Sequence, residues 1–162
     1  MSFKVLVITE DYVYDQHIVQ PIVRKICEEA GKPNAKVIVC TNPRFRGFED
    51  CTKIDRLKEE VIEMYKMVDL FLLLVDRDAN EYRHEKLAGI EAQLKLSLRS
   101  NQSFITENAH QEIEVWALAG LDLPKGWSWA EIRSERDPKE KYFYKVSKEI
   151  AYLMIRIKDG LN

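Results

Sequence analysis

The sequence predicts an α/β protein: a single three-layer domain with a mainly parallel sheet of about four strands and a long C-terminal helix. Short apolar runs alternate with segments whose apolar residues recur at helical spacing, as in strand-helix-strand units with right-handed crossovers. The run L-F-L-L-L-V at residues 70–75 is too short for a surface helix. Its unbroken apolarity is typical of a strand buried on both faces of a parallel sheet.

The elements of the first half follow in order. Strands are predicted at residues 3–9, 36–40 and 70–75. The helix after the first strand is predicted to start near Val19, leaving residues 12–17 as a loop, because Pro21 is tolerated only in a first helical turn. Thr52 and Asp55 resemble a capping box and predict the start of the second helix.

The second half predicts a helix at residues 81–99 and a short fourth strand at 103–107. Asn108, three residues before Gln111, predicts the N-cap of another helix. Residues 121–136 form a partly apolar arm without a predicted element. Asp137-Pro138 predicts the start of a helix reaching about residue 160. Its apolar stripe comprises Phe143, Val146, Ile150, Leu153 and Ile157.

Length and composition narrow the class of protein. The 162 residues fit one domain, 1–162, with a core at about 3–120 and a C-terminal arm and helix at about 121–160. The net charge of −2 provides no general attraction to nucleic acid or anionic membranes. Three widely spaced cysteines and the lack of a targeting or membrane-spanning segment predict a cytoplasmic protein without membrane contact.

Acidic residues follow two of the predicted strands. Glu10 and Asp11 follow the first, and Asp76 and Asp78 end the third. If these strands are neighbours, the carboxylates meet at the edge where parallel sheets bind ligands. Clustered carboxylates repel unless a cation lies between them, which predicts Mg²⁺ or Mn²⁺ and phosphoryl or phosphodiester chemistry. The alternative is that these acids cap helices or face solvent.

Other polar residues are weaker candidates for this site. His110 and Glu114 would lie one helical turn apart, where they could extend a metal site. His84 could assist proton transfer, and Glu112 is a further candidate carboxylate. An exposed histidine without a ligand is the plainer interpretation of both histidines.

Two aromatic segments predict contacts with partners. Arg44 and Arg46 alternate with Phe45 and Phe48 in a loop that could bind a nucleic-acid backbone and stack on bases. An ordinary loop with its aromatic rings on the core is an equal alternative. Trp127, Trp129 and the C-terminal helix could bind a protein partner or a second copy of the chain, or the tryptophans could cover the edge of the sheet.

The order of these motifs resembles the TOPRIM domain of topoisomerases, primases and OLD-type nucleases. The motifs are V-L-V-I-T-E ending at Glu10, L-L-L-V-D-R-D at residues 72–78, I-E-V-W-A-L-A at 113–119 and D-P-K-E at 137–140. The last two are similar to small stand-alone bacterial TOPRIM-related proteins, several of them linked to phage defence. The resemblance implies a TOPRIM or Rossmann-like fold and a magnesium-dependent nuclease.

The resemblance also implies roles for individual residues. Glu10 matches the metal-binding or acid/base glutamate, Asp76 and Asp78 match the magnesium-binding pair, and Glu114 matches a glutamate that adds a carboxylate. The sequence departs from the family in lacking a glycine soon after Glu10. The lysine that OLD-type nucleases place near their metals is not assigned; Lys86 and Lys125 are candidates by chemical type alone.

Three functions remain open from the sequence. The first is Mg²⁺-dependent hydrolysis of nucleic-acid phosphodiesters. The second is a receiver-like phospho-signalling domain, in which Asp76 would be phosphorylated and Thr106 would supply the hydroxyl expected at a later strand. The third is a non-catalytic interaction module on the same fold.

Overall fold

The computed structural model describes residues 2–148. Its sheet has four strands, β1 Lys4–Ile8, β2 Lys36–Val39, β3 Leu70–Asp76 and β4 Ser103–Ala109. All neighbouring strands are parallel, in the order β2-β1-β3-β4. The predicted α/β class and four-stranded parallel sheet are confirmed. The far part of the predicted C-terminal helix, with Ile150, Leu153 and Ile157, lies outside the described residues.

Helices connect the strands and follow the sheet. They are α1 Tyr12–Glu29, α2 Phe48–Cys51, α3 Ile54–Arg56 continued by a π-helical turn Leu57–Ile62, α4 Tyr82–Leu94 continued by a 3₁₀ turn Lys95–Ser97, α5 Glu114–Leu118 and α6 Trp129–Ser134. A last helical stretch runs from Pro138 to Lys148 and includes the π-helical segment Lys139–Phe143. None of the helices in residues 2–148 is both long and apolar enough to cross a lipid bilayer.

The central position of β1 explains its composition. Residues 5–8 are fully buried, because β1 pairs with β2 on one side and β3 on the other. The register pairs Ile8, the last residue of β1, with Leu73 of β3. Glu10, two residues later, therefore lies level with the C-terminal end of β3. Residues that follow these two strands therefore meet at one edge of the sheet.

Apolar side chains cover both faces of the sheet. Leu6 and Phe71 point to the face covered by α4 and the π-helical turn at 57–62. Val5 and Val7 point to the opposite face, which α1 covers. Such alternation is expected of strands between two helical layers. Cys27, Cys40 and Cys51 are buried free thiols within these layers.

Several predicted helix boundaries are wrong. The first helix begins at Tyr12 instead of Val19, because the Asp11 side chain accepts a hydrogen bond from the Val13 N–H (3.0 Å) and caps it. Pro21 lies inside α1 on its exposed side, where water can bond the carbonyl that lacks an intrahelical donor. The predicted loop at 12–17 is therefore helical.

Two predicted N-caps also have other roles. Thr52 is the C-cap of α2, and its hydroxyl donates to the Phe48 carbonyl at 2.7 Å. Asn108 lies in β4, which runs two residues beyond the predicted end at 107 and ends at Ala109. The next helix, α5, starts only at Glu114. Asn108 thus pairs with β3 instead of capping a helix, and Thr52 bonds the preceding helical turn instead of starting the next one.

The predicted arm contains a helix and packs on the domain. Trp127 meets the Tyr142 ring edge-on, with ring centres 4.8 Å apart. Trp127 and Trp129 are both partly buried against an apolar cluster of Val115, Leu118, Ile132, Tyr142 and Val146. The tryptophans thus cover residues of their own chain.

Candidate functional site

The acids at the ends of β1 and β3 meet as the strand order requires. Glu10 Oε1 accepts a hydrogen bond from the Asp76 N–H at 3.1 Å. Asp76 Oδ1 in turn accepts from the Ile113 N–H at 2.8 Å, which fixes the start of α5 against β3. The backbone carbonyl of Glu10 accepts from the Gly47 N–H at 3.1 Å. Segments after all four strands are thereby joined around Glu10 and Asp76.

These residues open onto a cleft of about 420 Å³. Its lining comprises Glu10, Asp11, Tyr14, Asp15, Arg44, Phe45, Arg46, Gly47, Asp76 and Lys139. Four carboxylates, from the ends of β1 and β3 and from the start of α1, form the acidic wall of the cleft. The loop after β2 contributes two arginines, and Lys139 contributes a further cation. The cleft therefore brings negative and positive side chains to one space.

Burial and mutual repulsion raise the pKa values of three acids of this wall, Glu10, Asp15 and Asp76. Burial, together with the charges of Glu10, Glu114 and Asp15, raises the pKa of Asp76 to about 8, although the hydrogen bond from the Ile113 N–H lowers it. Burial likewise raises the pKa of Asp15 to about 6. Burial also raises the pKa of Glu10, although the Arg83 charge opposes it. A bound cation would relieve this repulsion.

Arg83, on the first turn of α4, neutralises part of the cluster. Its guanidinium pairs with Glu10 at 3.2 Å and Asp78 at 2.9 Å, and it donates to the Asp76 carbonyl. The group lies 4.0 Å above the Phe48 ring, and the side chain is only 12% exposed. Sequence reasoning missed Arg83, because a single arginine in a charged helix carries no distinguishing signal.

Asp78 lies apart from the acidic wall. It has a left-handed backbone (φ 49°), and its N–H donates to the Gln111 carbonyl at 3.0 Å. Its carboxylate is half exposed and faces Arg83. Asp78 is thus near Glu10, whose pKa its charge helps to raise, but it does not line the cleft. Asp11 does line the cleft, while its side chain caps α1.

Glu114 is the most buried acid in this region, at 5% exposure. Lys139 compensates its charge, with 2.7 Å between Lys139 Nζ and Glu114 Oε1. Burial lowers the pKa of Lys139, but the bond and charge of Glu114 outweigh this and raise it. Glu112 accepts from the Lys139 N–H at 2.8 Å. Both glutamates therefore hold the D-P-K-E segment at the cleft, where Lys139 supplies a cation that the sequence analysis did not assign.

The two candidate histidines, His84 and His110, do not line this cleft. His84 is exposed and lines a separate polar depression of about 670 Å³ with Arg77 and Tyr82. His110 is also exposed and lies between β4 and α5. The predicted helical face shared by His110 and Glu114 is wrong, because α5 begins at Glu114 itself.

The arginine loop is fixed by its aromatic residues. Phe45 and Phe48 are 4% and 8% exposed, whereas Arg44 and Arg46 are exposed. The Arg46 N–H donates to Asp50 at 3.2 Å, and the Tyr65 hydroxyl donates to the carbonyl of the loop residue at position 42. The phenylalanines thus hold the loop, and the arginines face the cleft.

The four acids of the predicted metal site do not form a complete set of metal ligands. Within residues 2–148, no group of three or more His, Cys, Asp or Glu side chains is arranged to hold a metal. Arg83 and Lys139 engage three of the four acids of the predicted site, Glu10, Asp78 and Glu114. Magnesium commonly binds through one or two carboxylates and keeps its waters. Asp76, together with Glu10 shared with Arg83, could supply that smaller number of ligands.

Asp15 is the acid that sequence reasoning missed. Its position four residues after Asp11 was the available signal, because a helix capped by Asp11 directs its first turn toward the same edge. The inferred loop at 12–17 hid this relation.

Comparisons with known proteins give no relative for this chain. No protein-family model matches it, and neither the curated proteins nor the solved structures contain a match.

Proposed function

We propose that this protein is a Mg²⁺-dependent enzyme that hydrolyses nucleic-acid phosphodiesters, as the TOPRIM-like motifs imply. The observation that carries the proposal is the cleft lined both by carboxylates, among them Glu10 and Asp76 with raised pKa values, and by arginines. Both kinds of side chain suit a phosphodiester bound with a divalent cation, since carboxylates hold the metal and arginines bind phosphate oxygens.

The carboxylates and the arginines of the cleft would then have distinct roles. Glu10 and Asp76 would hold Mg²⁺, which when bound supplies positive charge to the phosphate and acidifies water. Arg44 and Arg46, which line the same cleft, would orient the phosphates. Asp15 accepts a proton, because a pKa of about 6 suits a general base near neutral pH. A role in phage defence would follow from the resemblance alone.

A receiver-like function has less support. Thr106 lies within β4, where its hydroxyl bonds Glu91 at 3.2 Å instead of facing the cleft. A receiver domain also has a lysine at the end of a later strand. The sheet formed by residues 2–148 has four strands, and Lys139, which lines the cleft with Asp76, comes from a helical segment. An interaction module built on the tryptophans is also disfavoured, because they pack on their own chain.

Cleavage assays test the proposal. Labelled single- and double-stranded DNA and RNA are incubated with Mg²⁺ or Mn²⁺ and with the wild type or Glu10→Gln. The glutamine keeps an oxygen acceptor for the Asp76 N–H but removes the charge. We expect cleavage by the wild type and a loss of at least about 100-fold in the variant.

Asp55→Asn, on the exposed surface of α3, is the matched control and should cleave at the wild-type rate. Circular dichroism shows that each variant is folded. Absence of cleavage of all four substrates, or wild-type rates in Glu10→Gln, would contradict the proposal.

A further inference from the structure

Tyr14 presents an exposed aromatic ring at the cleft. It lies in the first turn of α1 and is 70% exposed, which is unusual for a large aromatic side chain. It lines the same cleft as Glu10 and Asp76. An exposed ring beside charged groups that could bind phosphate offers a stacking surface for a base.

The arginine loop lies next to this aromatic surface. The Arg44 guanidinium is 5.7 Å from the centre of the Tyr12 ring, two residues before Tyr14. Phe45 and Phe48, in contrast, are buried beneath the loop and have no free face for a base. The arginines and the stacking ring of the cleft therefore come from different segments, the loop after β2 and the start of α1.

We propose that the cleft takes a single-stranded nucleic acid, with Tyr14 stacked on an unpaired base and Arg44 and Arg46 on the flanking phosphates. The inference rests on the proposed function, because it assigns the substrate of that same cleft. Every base of a single strand has a free face for stacking, whereas a duplex hides these faces between base pairs.

The size of the cleft is compatible with this substrate. A volume of about 420 Å³ is in the range of pockets that enclose one small ligand, roughly 300–1,000 Å³. One nucleotide unit of a strand suits such a space. The acidic wall would then meet the backbone phosphate beside the stacked base.

Binding measured without turnover tests the inference. Fluorescence anisotropy compares labelled single-stranded DNA, single-stranded RNA and the corresponding duplexes, in Ca²⁺ in place of Mg²⁺. We expect single strands to bind at least 10-fold more tightly than duplexes, with the two single-stranded arms identifying DNA or RNA. Tyr14→Ala should weaken single-strand binding about 5- to 100-fold, as for loss of one stacked base, and Tyr14→Phe should retain it.

Tyr82→Ala is the matched control, because Tyr82 is as exposed (78%) but lines the separate depression beside His84. It should bind like the wild type. The inference would be overturned if duplexes bind as tightly as single strands, if Tyr14→Ala binds like the wild type, or if single strands do not bind at all.

The two proposals fail in different ways. If Glu10→Gln abolishes cleavage but Tyr14→Ala binds single strands like the wild type, the nuclease proposal is retained and the single-strand site is rejected. Tyr14-dependent binding of single strands without cleavage in Mg²⁺ or Mn²⁺ would keep the single-strand site and reject the nuclease.

Discussion

Asp76 and Asp78 belong to one three-residue motif, yet their carboxylates lie in opposite surroundings. Asp76 ends a buried strand, lines the cleft and is surrounded by Glu10, Asp15 and Glu114, which together with burial raise its pKa to about 8. Asp78 lies two residues later in a left-handed turn, half exposed and paired with Arg83 at 2.9 Å. Within residues 2–148, Asp76 forms no salt bridge of its own.

The difference separates two ways of balancing negative charge. Arg83 balances Asp78 and part of Glu10, so the protein itself supplies their cation. Asp76 keeps its repulsion with neighbouring acids, and a bound metal would relieve it. The part of the acid cluster that the protein does not neutralise is thus the place where the proposed cation would bind.

The largest expected effect comes from removing the internal cation. Arg83→Ala leaves Glu10 without its guanidinium in a site where both side chains are at most 16% exposed. We expect a loss of about 3 kcal/mol in the free energy of unfolding, because breaking a buried pair leaves an uncompensated charge. Urea denaturation without metal measures it.

Lys86→Ala is the matched control, because Lys86 also lies over the Phe48 ring, at 4.8 Å, but pairs with the exposed Glu49. Its expected cost is below about 1 kcal/mol. Equal losses for Arg83→Ala and Lys86→Ala would show that Arg83 acts by packing on Phe48 and not by balancing charge.

A smaller effect on the free energy of unfolding is expected from the protonation of Asp76. Between its ordinary pKa of 3.8 and the folded value of about 8, the folded protein retains a proton that the unfolded chain has released. Metal-free wild-type stability therefore falls as pH rises through this window. Asp76→Asn removes this loss, and its Oδ1 can still accept from the Ile113 N–H. The full linkage would be roughly 1.4 kcal/mol per pH unit. Because Asp76 is only partly buried and solvent screens its neighbours, we expect the variant's advantage to grow to about 2 kcal/mol by pH 8.

Urea denaturation from pH 5 to pH 8 in EDTA measures this advantage. Asp78→Asn is the control, because its half-exposed side chain keeps solvent contact and should change stability by less than about 1 kcal/mol at every pH. An Asp76→Asn advantage that does not depend on pH would show that repulsion at Asp76 is not the source.

The sheet could be predicted from sequence because its signals are local. Continuous apolar runs such as residues 70–75 have no stable position except between two helical layers, and the order of elements then fixes a parallel sheet. The pairing of Glu10 with Asp76 followed from assuming that β1 and β3 are neighbours. The assumption is correct, because β1 and β3 pair directly, with Ile8 opposite Leu73.

The charge balance of the cleft could not be predicted, because it depends on long-range pairs. Arg83 reaches Glu10 across 73 residues of sequence, and Lys139 reaches Glu114 from a separate helical segment. A second miss was local, because the capping signal of Asp11 was outweighed by the interior position of Pro21 in the same helix. That helix brings Asp15 and Tyr14 to the cleft, and neither was predicted there.

Calorimetric titration of Mn²⁺ into the wild type, Asp76→Asn and Asp78→Asn tests the central claim most directly. The titrations are run at pH 8, where the proton competes least for Asp76. The account predicts binding by the wild type, no detectable binding by Asp76→Asn, and affinity within about 10-fold of wild type for Asp78→Asn, whose charge Arg83 already balances. Absence of binding by the wild type, or loss of binding in Asp78→Asn but not in Asp76→Asn, would contradict it.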